Sequence, residues 1–143
     1  MITSPLLSRF DGLLHSFGTR EKDPLKERVV ISKQVHGNAV LFLEQQPNER
    51  PAGSGSDALV TDQKGITIGV TTADCLPILL FEPERRLIAA VHAGWRGTLA
   101  RIVQKTVEEM VKRGGRADRI AAALGPSIQG GCYEVGPEVY NQF

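Results

Sequence analysis

Three side chains with borderline-soft donor atoms, His36, Cys75 and His92, each stand where an apolar run breaks into a turn. Two imidazoles and a thiolate suit zinc. As three protein ligands they leave a tetrahedral ion one open position, which is the ligand count of a catalytic rather than a structural site. The spacings match no compact zinc motif, so the donor types leave other readings open. Each histidine can be a turn or core residue satisfied by hydrogen bonds, and Cys75 a small buried hydrophobe. The same atoms also fit nucleophilic chemistry, with Cys75 attacking and His92 as its base. Arg96 lies just before a helix start, where free N–H groups favour anions and a guanidinium adds bidentate reach. Its plainer reading is a surface ion pair. Asp74, next to Cys75, can orient a ligand, carry a proton or cap a turn. Trp95 reads as packing, His15 as structural, and Asp57 as a turn residue before a strand.

These residues need elements to position them. Leu87-Ile88-Ala89-Ala90-Val91 is a short continuous apolar run, the pattern of a strand buried on both faces. The cluster His92 to Gly97 reads as a turn, and the helix after it carries Leu99, Ile102, Val103, Val107, Met110 and Val111 on one stripe. Lys112 and Arg113 suit its negative end, and Gly114-Gly115 stop it. Strand, turn and helix in that order is where α/β folds place ligands. Earlier in the chain, 13–17, 29–32 and 39–43 read as strands, with His36-Gly37-Asn38 as a bend between the last two. The stretches 19–28 and 45–56 read as loops. The spacing predicts a hairpin from 57–61 and 66–71, turning at 62–65. Leu76 to Phe81 is a strand entered through Pro77. Ile120 to Leu124 reads as a short buried strand, and Pro137 as the start of a final helix. Strands with one clear helix give an α+β (mixed α/β) class.

A chain of 143 residues fits one domain, read as spanning 1–143. The apolar fraction of 41% and charged fraction of 23% are those of an ordinary globular protein. A net charge of +1 suggests neither a nucleic-acid partner nor an acidic tail. No apolar run approaches the roughly 18 residues of a membrane span, and the start lacks a secretory pattern. Two cysteines, Cys75 and Cys132, are too few for a disulfide framework, which favours a reduced, cytoplasmic setting.

Four segments occur in order: Lys33-Gln34-Val35-His36-Gly37, Thr72-Ala73-Asp74-Cys75-Leu76-Pro77, His92-Ala93-Gly94-Trp95-Arg96-Gly97-Thr98, and Gly125-Pro126-Ser127-Ile128 with Cys132-Tyr133-Glu134-Val135. Together they resemble the YfiH or laccase-domain family, the multicopper polyphenol oxidoreductase-like proteins now described as purine nucleoside phosphorylases. The resemblance runs from about Val29 onward. It implies an α/β/β/α sandwich like that of the toxin-type cysteine hydrolases, and His36, Cys75 and His92 as zinc ligands. It also implies phosphorolysis of adenosine, inosine, guanosine and methylthioadenosine, with adenosine deamination as a second reaction. Purine nucleoside and phosphate are then the partners. Arg96, Gly97 and Glu134 would bind substrate or phosphate, and Asp74 or Glu134 would carry a proton alongside Cys75 and His92. Other functions within the resemblance are a peptidoglycan-precursor editing hydrolase using Cys75 and His92, a copper-dependent polyphenol oxidase, and a non-catalytic zinc-stabilised module. The family continues beyond the position of Phe143, so the chain reads as truncated and its sheet as incomplete. The short charged stretch Glu21 to Glu27 also departs from the family's glycine- and serine-rich segment.

Overall fold

The apolar run from Leu87 forms the middle strand of a five-stranded sheet, and period-two alternation along its neighbours divides the molecule into layers. The computed structural model describes residues 2–18, 29–47 and 55–143. In chain order the elements are β1 (Val29–Val30), β2 (Val40–Phe42), β3 (Ala58–Thr61), β4 (Thr67–Ile68), β5 (Leu76–Glu82), β6 (Leu87–Ala93), α1 (Trp95–Leu99), α2 (Ile102–Lys112), β7 (Ala121–Leu124) and α3 (Pro137–Tyr140). The main sheet has the order β2-β3-β6-β5-β7, and β1 pairs with β4 in a separate parallel ribbon. Both neighbours of β6 run antiparallel to it.

Side chains on one face of the sheet meet the helix. Ala58, Val60, Ile78, Leu80, Ala89 and Val91 pack with Ile102 and Met110 of α2. The alternate residues Leu79, Phe81, Ile88 and Ala123 turn the other way, onto Leu7, Phe10, Leu13 and Phe17. Leu59, also on that second face, packs with Val30 and Leu43 beside the β1–β4 ribbon. Helix, sheet and second ribbon therefore form successive layers of a mixed α+β fold. Fully burying an aliphatic side chain stabilises by about 1.5–3 kcal/mol, so this double-sided core fixes the strands that carry the site.

Several sequence expectations change. The pattern over 57–71 forms no hairpin: β3 joins the main sheet while β4 crosses to pair with β1. Burial explains this, because β3 is covered throughout and needs ladder partners on both edges, which β2 and β6 supply. The helix is two helices, broken at Arg101, whose φ of 64° is left-handed. The Asn38 side chain donates to the Ala100 carbonyl at 2.7 Å, which closes α1 there and ties it to the bend at 36–38. Leu99 and Val111 of the expected stripe are exposed, while Thr106 is buried and returns its hydroxyl to the Ile102 carbonyl. The strand read over 120–124 is an edge strand, not a buried one, with Leu124 64% exposed. Of the strand read over 13–17, only an antiparallel bridge between Ile2 and Phe17 forms. The loop read over 19–28, and residues 48–54 of the one read over 45–56, lie outside the described residues.

Other expectations hold. Gly114 takes a left-handed φ of 89°, and the N–H of Gly115 reaches the Met110 carbonyl, closing α2. Pro137 opens α3. Among the described residues no helix is long and apolar enough to cross a membrane.

Candidate metal centre

Strand parity brings the candidate ligands to one place. In β5 and β6, Pro77 pairs opposite His92 and Leu76 opposite Ala93. Cys75, one residue before β5, and His92, near the end of β6, therefore project to the sheet face opposite α2. Asp57 precedes β3 and shares that parity, and its carbonyl accepts the His92 N–H at 2.7 Å. His36 arrives from the bend between β1 and β2, where its own φ is 59°. The result is a cluster of His36, Cys75 and His92 whose ligand atoms all lie within 4.8 Å of one another. The two imidazoles meet edge to face, with centroids 4.7 Å apart. One first-row ion can draw such a set into its first shell through small side-chain rotations.

Asp57 organises two of the three. It is fully buried, and Oδ1 lies 2.7 Å from His92 Nδ1. The backbone N–H of His36 donates to Oδ1 at 2.9 Å, while those of Gly37 and Val35 donate to Oδ2 at 2.8 and 3.2 Å. Burial alone raises a carboxyl's pKa, but the His92 hydrogen bond and the Gly37, Val35 and His36 N–H groups outweigh it and hold Asp57 below the ordinary value. An ionised Asp57 accepts from Nδ1–H, so neutral His92 keeps its Nε2 lone pair for a cation. Sequence reasoning missed this residue, taking it for part of a turn. The available signal was a carboxylate abutting the wholly apolar strand start Ala58-Leu59-Val60, where a charge needs a built-in partner.

Cys75 is half-buried and Cys132 exposed, and both are free thiols. Burial pushes the Cys75 thiol up, and the carboxylates of Asp74 and Asp57 push it further. A bound cation reverses that balance by favouring the thiolate. The donor set fits such an ion in a second respect. A Cβ on Gly94 would meet Cys75 Sγ at 3.0 Å, His36 Cδ2 at 3.3 Å and His92 Cε1 at 3.9 Å, so a side chain there would crowd all three. At Gly97, a Cβ would press to 2.9 Å from the Gly37 carbonyl, so α1 and the His36 bend touch backbone to backbone.

The remaining candidates disperse. Asp74 lines the cavity of about 550 Å³ that contains the triad, together with Ser32, Gln34 and the chain from Thr71 to Cys75. Arg96 is exposed on α1, its guanidinium 4.8 Å from the Trp95 ring centroid, and does not line that cavity. Gly97 is buried beneath the bend, and Glu134 is exposed in the tail, away from the cavity wall. His15 accepts the Ser4 N–H at 2.9 Å, the structural role read for it.

A family model described as multi-copper polyphenol oxidoreductase laccase matches residues 18–143. The chain belongs to that family. Within the laccase family it is 45% identical over 121 residues to a protein named adenosine deaminase RL5, from an unknown prokaryotic organism, covering 80% of this chain and 46% of that protein. It is 49% identical over 110 residues to a purine nucleoside phosphorylase of Deinococcus radiodurans, covering 77% of this chain and 42% of that one. The crystal structure of YlmD from Geobacillus stearothermophilus superposes with a TM-score of 0.75 at 32% identity, covering 81% of this chain and 46% of the other. Bacillus licheniformis YfiH gives 0.73 at 28% identity, over 80% and 46%. The chain thus spans about half the length of the relatives it matches.

Proposed function

We propose that this chain carries the zinc-binding half-site of a purine nucleoside phosphorylase with adenosine deaminase side activity. The convergence of His36, Cys75 and His92, with Asp57 locking His92 from behind, carries the reading. Relatives named purine nucleoside phosphorylase and adenosine deaminase support the reaction class. Within this chain His36 and His92 gather at one centre with Cys75, while His15 is spent on the Ser4 N–H.

In phosphorolysis a phosphate oxygen attacks the anomeric carbon as the bond to the purine nitrogen breaks, and the departing base takes up a proton. Positive charge grows on the sugar as the bond opens. A zinc held by His36, Cys75 and His92 would supply electrophilic polarisation to a bound oxygen. Asp57 keeps His92 in one tautomer throughout. Asp74, on the cavity wall beside Cys75, is the proton carrier closest to the triad along the chain. Arg96 stands outside that cavity wall, and its assignment to phosphate rests on the family motif alone, as a separable element. Arg96→Ala should raise the phosphate concentration for half-maximal rate about ten- to a hundredfold, the loss of one charge-assisted hydrogen bond, with metal content unchanged.

One observation favours a second reading. Cys75, His92 and Asp57 also form a nucleophile, base and orienting carboxylate, the array of a cysteine hydrolase acting on a peptidoglycan precursor. That array leaves His36 without a role. The test is inosine with phosphate, followed for hypoxanthine and ribose-1-phosphate before and after chelation. Phosphorolysis that zinc restores supports the metal reading. Full activity in verified metal-free protein supports the cysteine reading.

A further inference from the structure

Asp57 anchors His36 and His92, but nothing it touches holds Cys75. The third ligand hangs from residues 70–75, which leave the β1–β4 ribbon after Gly69 and enter the main sheet at Leu76. Two sets of hydrogen bonds hold residues 70–74 among the described residues. One is the Ile128 N–H donated to the Asp74 carbonyl at 3.0 Å. The other comes from a single side chain. Gln34 Nε2 donates to the Thr71 carbonyl at 2.9 Å, while Gln34 Oε1 accepts the Thr71 N–H at 2.8 Å and its hydroxyl at 3.2 Å.

An amide side chain that donates to a residue's C=O and accepts from its N–H imitates one rung of a β ladder. Here the rung spans 37 residues of sequence and joins the segment bearing His36, two residues after Gln34, to the segment bearing Cys75, four residues after Thr71. Gln34 and Thr71 both line the cavity that holds the triad. We infer that Gln34 is a positioning residue for the metal centre: it sets the reach of Cys75 toward the two histidines without ligating. The inference rests on the metal reading of the triad. It divides the outer support into two parts, Asp57 for the imidazoles and Gln34 for the thiolate. Groups that orient metal ligands from outside typically change affinity by 10–100-fold when removed.

The full chain, loaded with cobalt(II), tests this. Wild-type protein should show the thiolate-to-cobalt charge-transfer band of Cys75, and Cys75→Ser should lack it. Gln34→Met keeps the volume and removes all three hydrogen bonds. It should weaken that band, lower cobalt and zinc affinity about tenfold or more in chelator competition, and leave the metal-free unfolding midpoint unchanged. Thr71→Val, which removes only the hydroxyl contact, should behave as wild type. A Gln34→Met protein with the wild-type band and affinity overturns the inference, as does one whose metal-free form is destabilised with histidine and thiolate ligation weakened alike. A wild-type chain that takes up no cobalt through Cys75 overturns the metal reading itself, a failure distinguishable from the first two.

Discussion

The β5–β6 hairpin buries a carboxylate at each end, and the two are treated differently. At the closed end Glu82 is fully buried; one oxygen accepts the Arg85 N–H at 2.7 Å and the other, Oε1, has no partner among the described residues. Among the described residues its only bond is local, three residues along. At the open end Asp57 is equally buried, yet both its oxygens are engaged and its partners lie 20 to 35 residues away. A turn needs only to be closed. A site must hold several chain segments in register, and a buried anion with four donors does that because leaving any donor unpaired costs roughly 1–3 kcal/mol.

The comparison breaks most sharply at Asp57. Asp57→Asn keeps the shape but turns an NH₂ toward N–H groups that need an acceptor. It should lower zinc affinity at least 10–100-fold and destabilise the metal-free fold, checked by chelator competition and thermal unfolding. The native carboxylate also gives a pH signature. Its folded pKa lies below the ordinary 3.8, so its contribution is present above that value and is lost as the pH falls through the depressed one. The acid limb of unfolding should therefore flatten in Asp57→Asn.

A smaller effect is expected at Gly94, where an added methyl would stand 3.0 Å from Cys75 Sγ. Overpacking at well-packed positions costs about 1–3 kcal/mol. Gly94→Ala should accordingly weaken zinc about tenfold, read by the same competition, and alter unfolding of the metal-free chain less than Asp57→Asn does.

The smallest change is predicted at the other end of the hairpin. Glu82→Gln exchanges one buried polar atom without a partner among the described residues for another, so stability should move by less than about 1 kcal/mol and zinc affinity not at all. A loss of zinc binding there would show that the two ends are coupled and remove the distinction drawn between them.

The centre of this fold was legible because its signals are local. Leu87 to Val91 has the length and apolar continuity of a covered strand, and Gly114-Gly115 offers the left-handed residue that ends a helix. The four motifs located His36, Cys75 and His92 through a family resemblance, and the strand register then brought them together. What stayed hidden depends on distant partners. Asp57 looks like a turn residue until β3 lies beside β6, and Gln34 sits inside the Lys33-to-Gly37 motif with no visible task until Thr71 comes opposite it. Ile66 to Thr71 alternates as a hairpin arm would, and nothing nearby says that β4 pairs with β1 instead. The break at Arg101 was equally silent, since it is closed by Asn38 from another segment.

Whether the Cys75 sulfur holds a metal or attacks a substrate is tested most directly by its alkylation rate in the zinc-loaded and the chelated chain, measured across neutral pH alongside metal content. A ligated thiolate is shielded, so alkylation should be slow with zinc bound and rise on chelation. Zinc affinity should climb about tenfold per pH unit while the free thiol, held above its ordinary pKa, must still release its proton. Alkylation that is fast and indifferent to zinc, in a chain that keeps full activity without metal, would contradict the metal centre and make Cys75 the nucleophile.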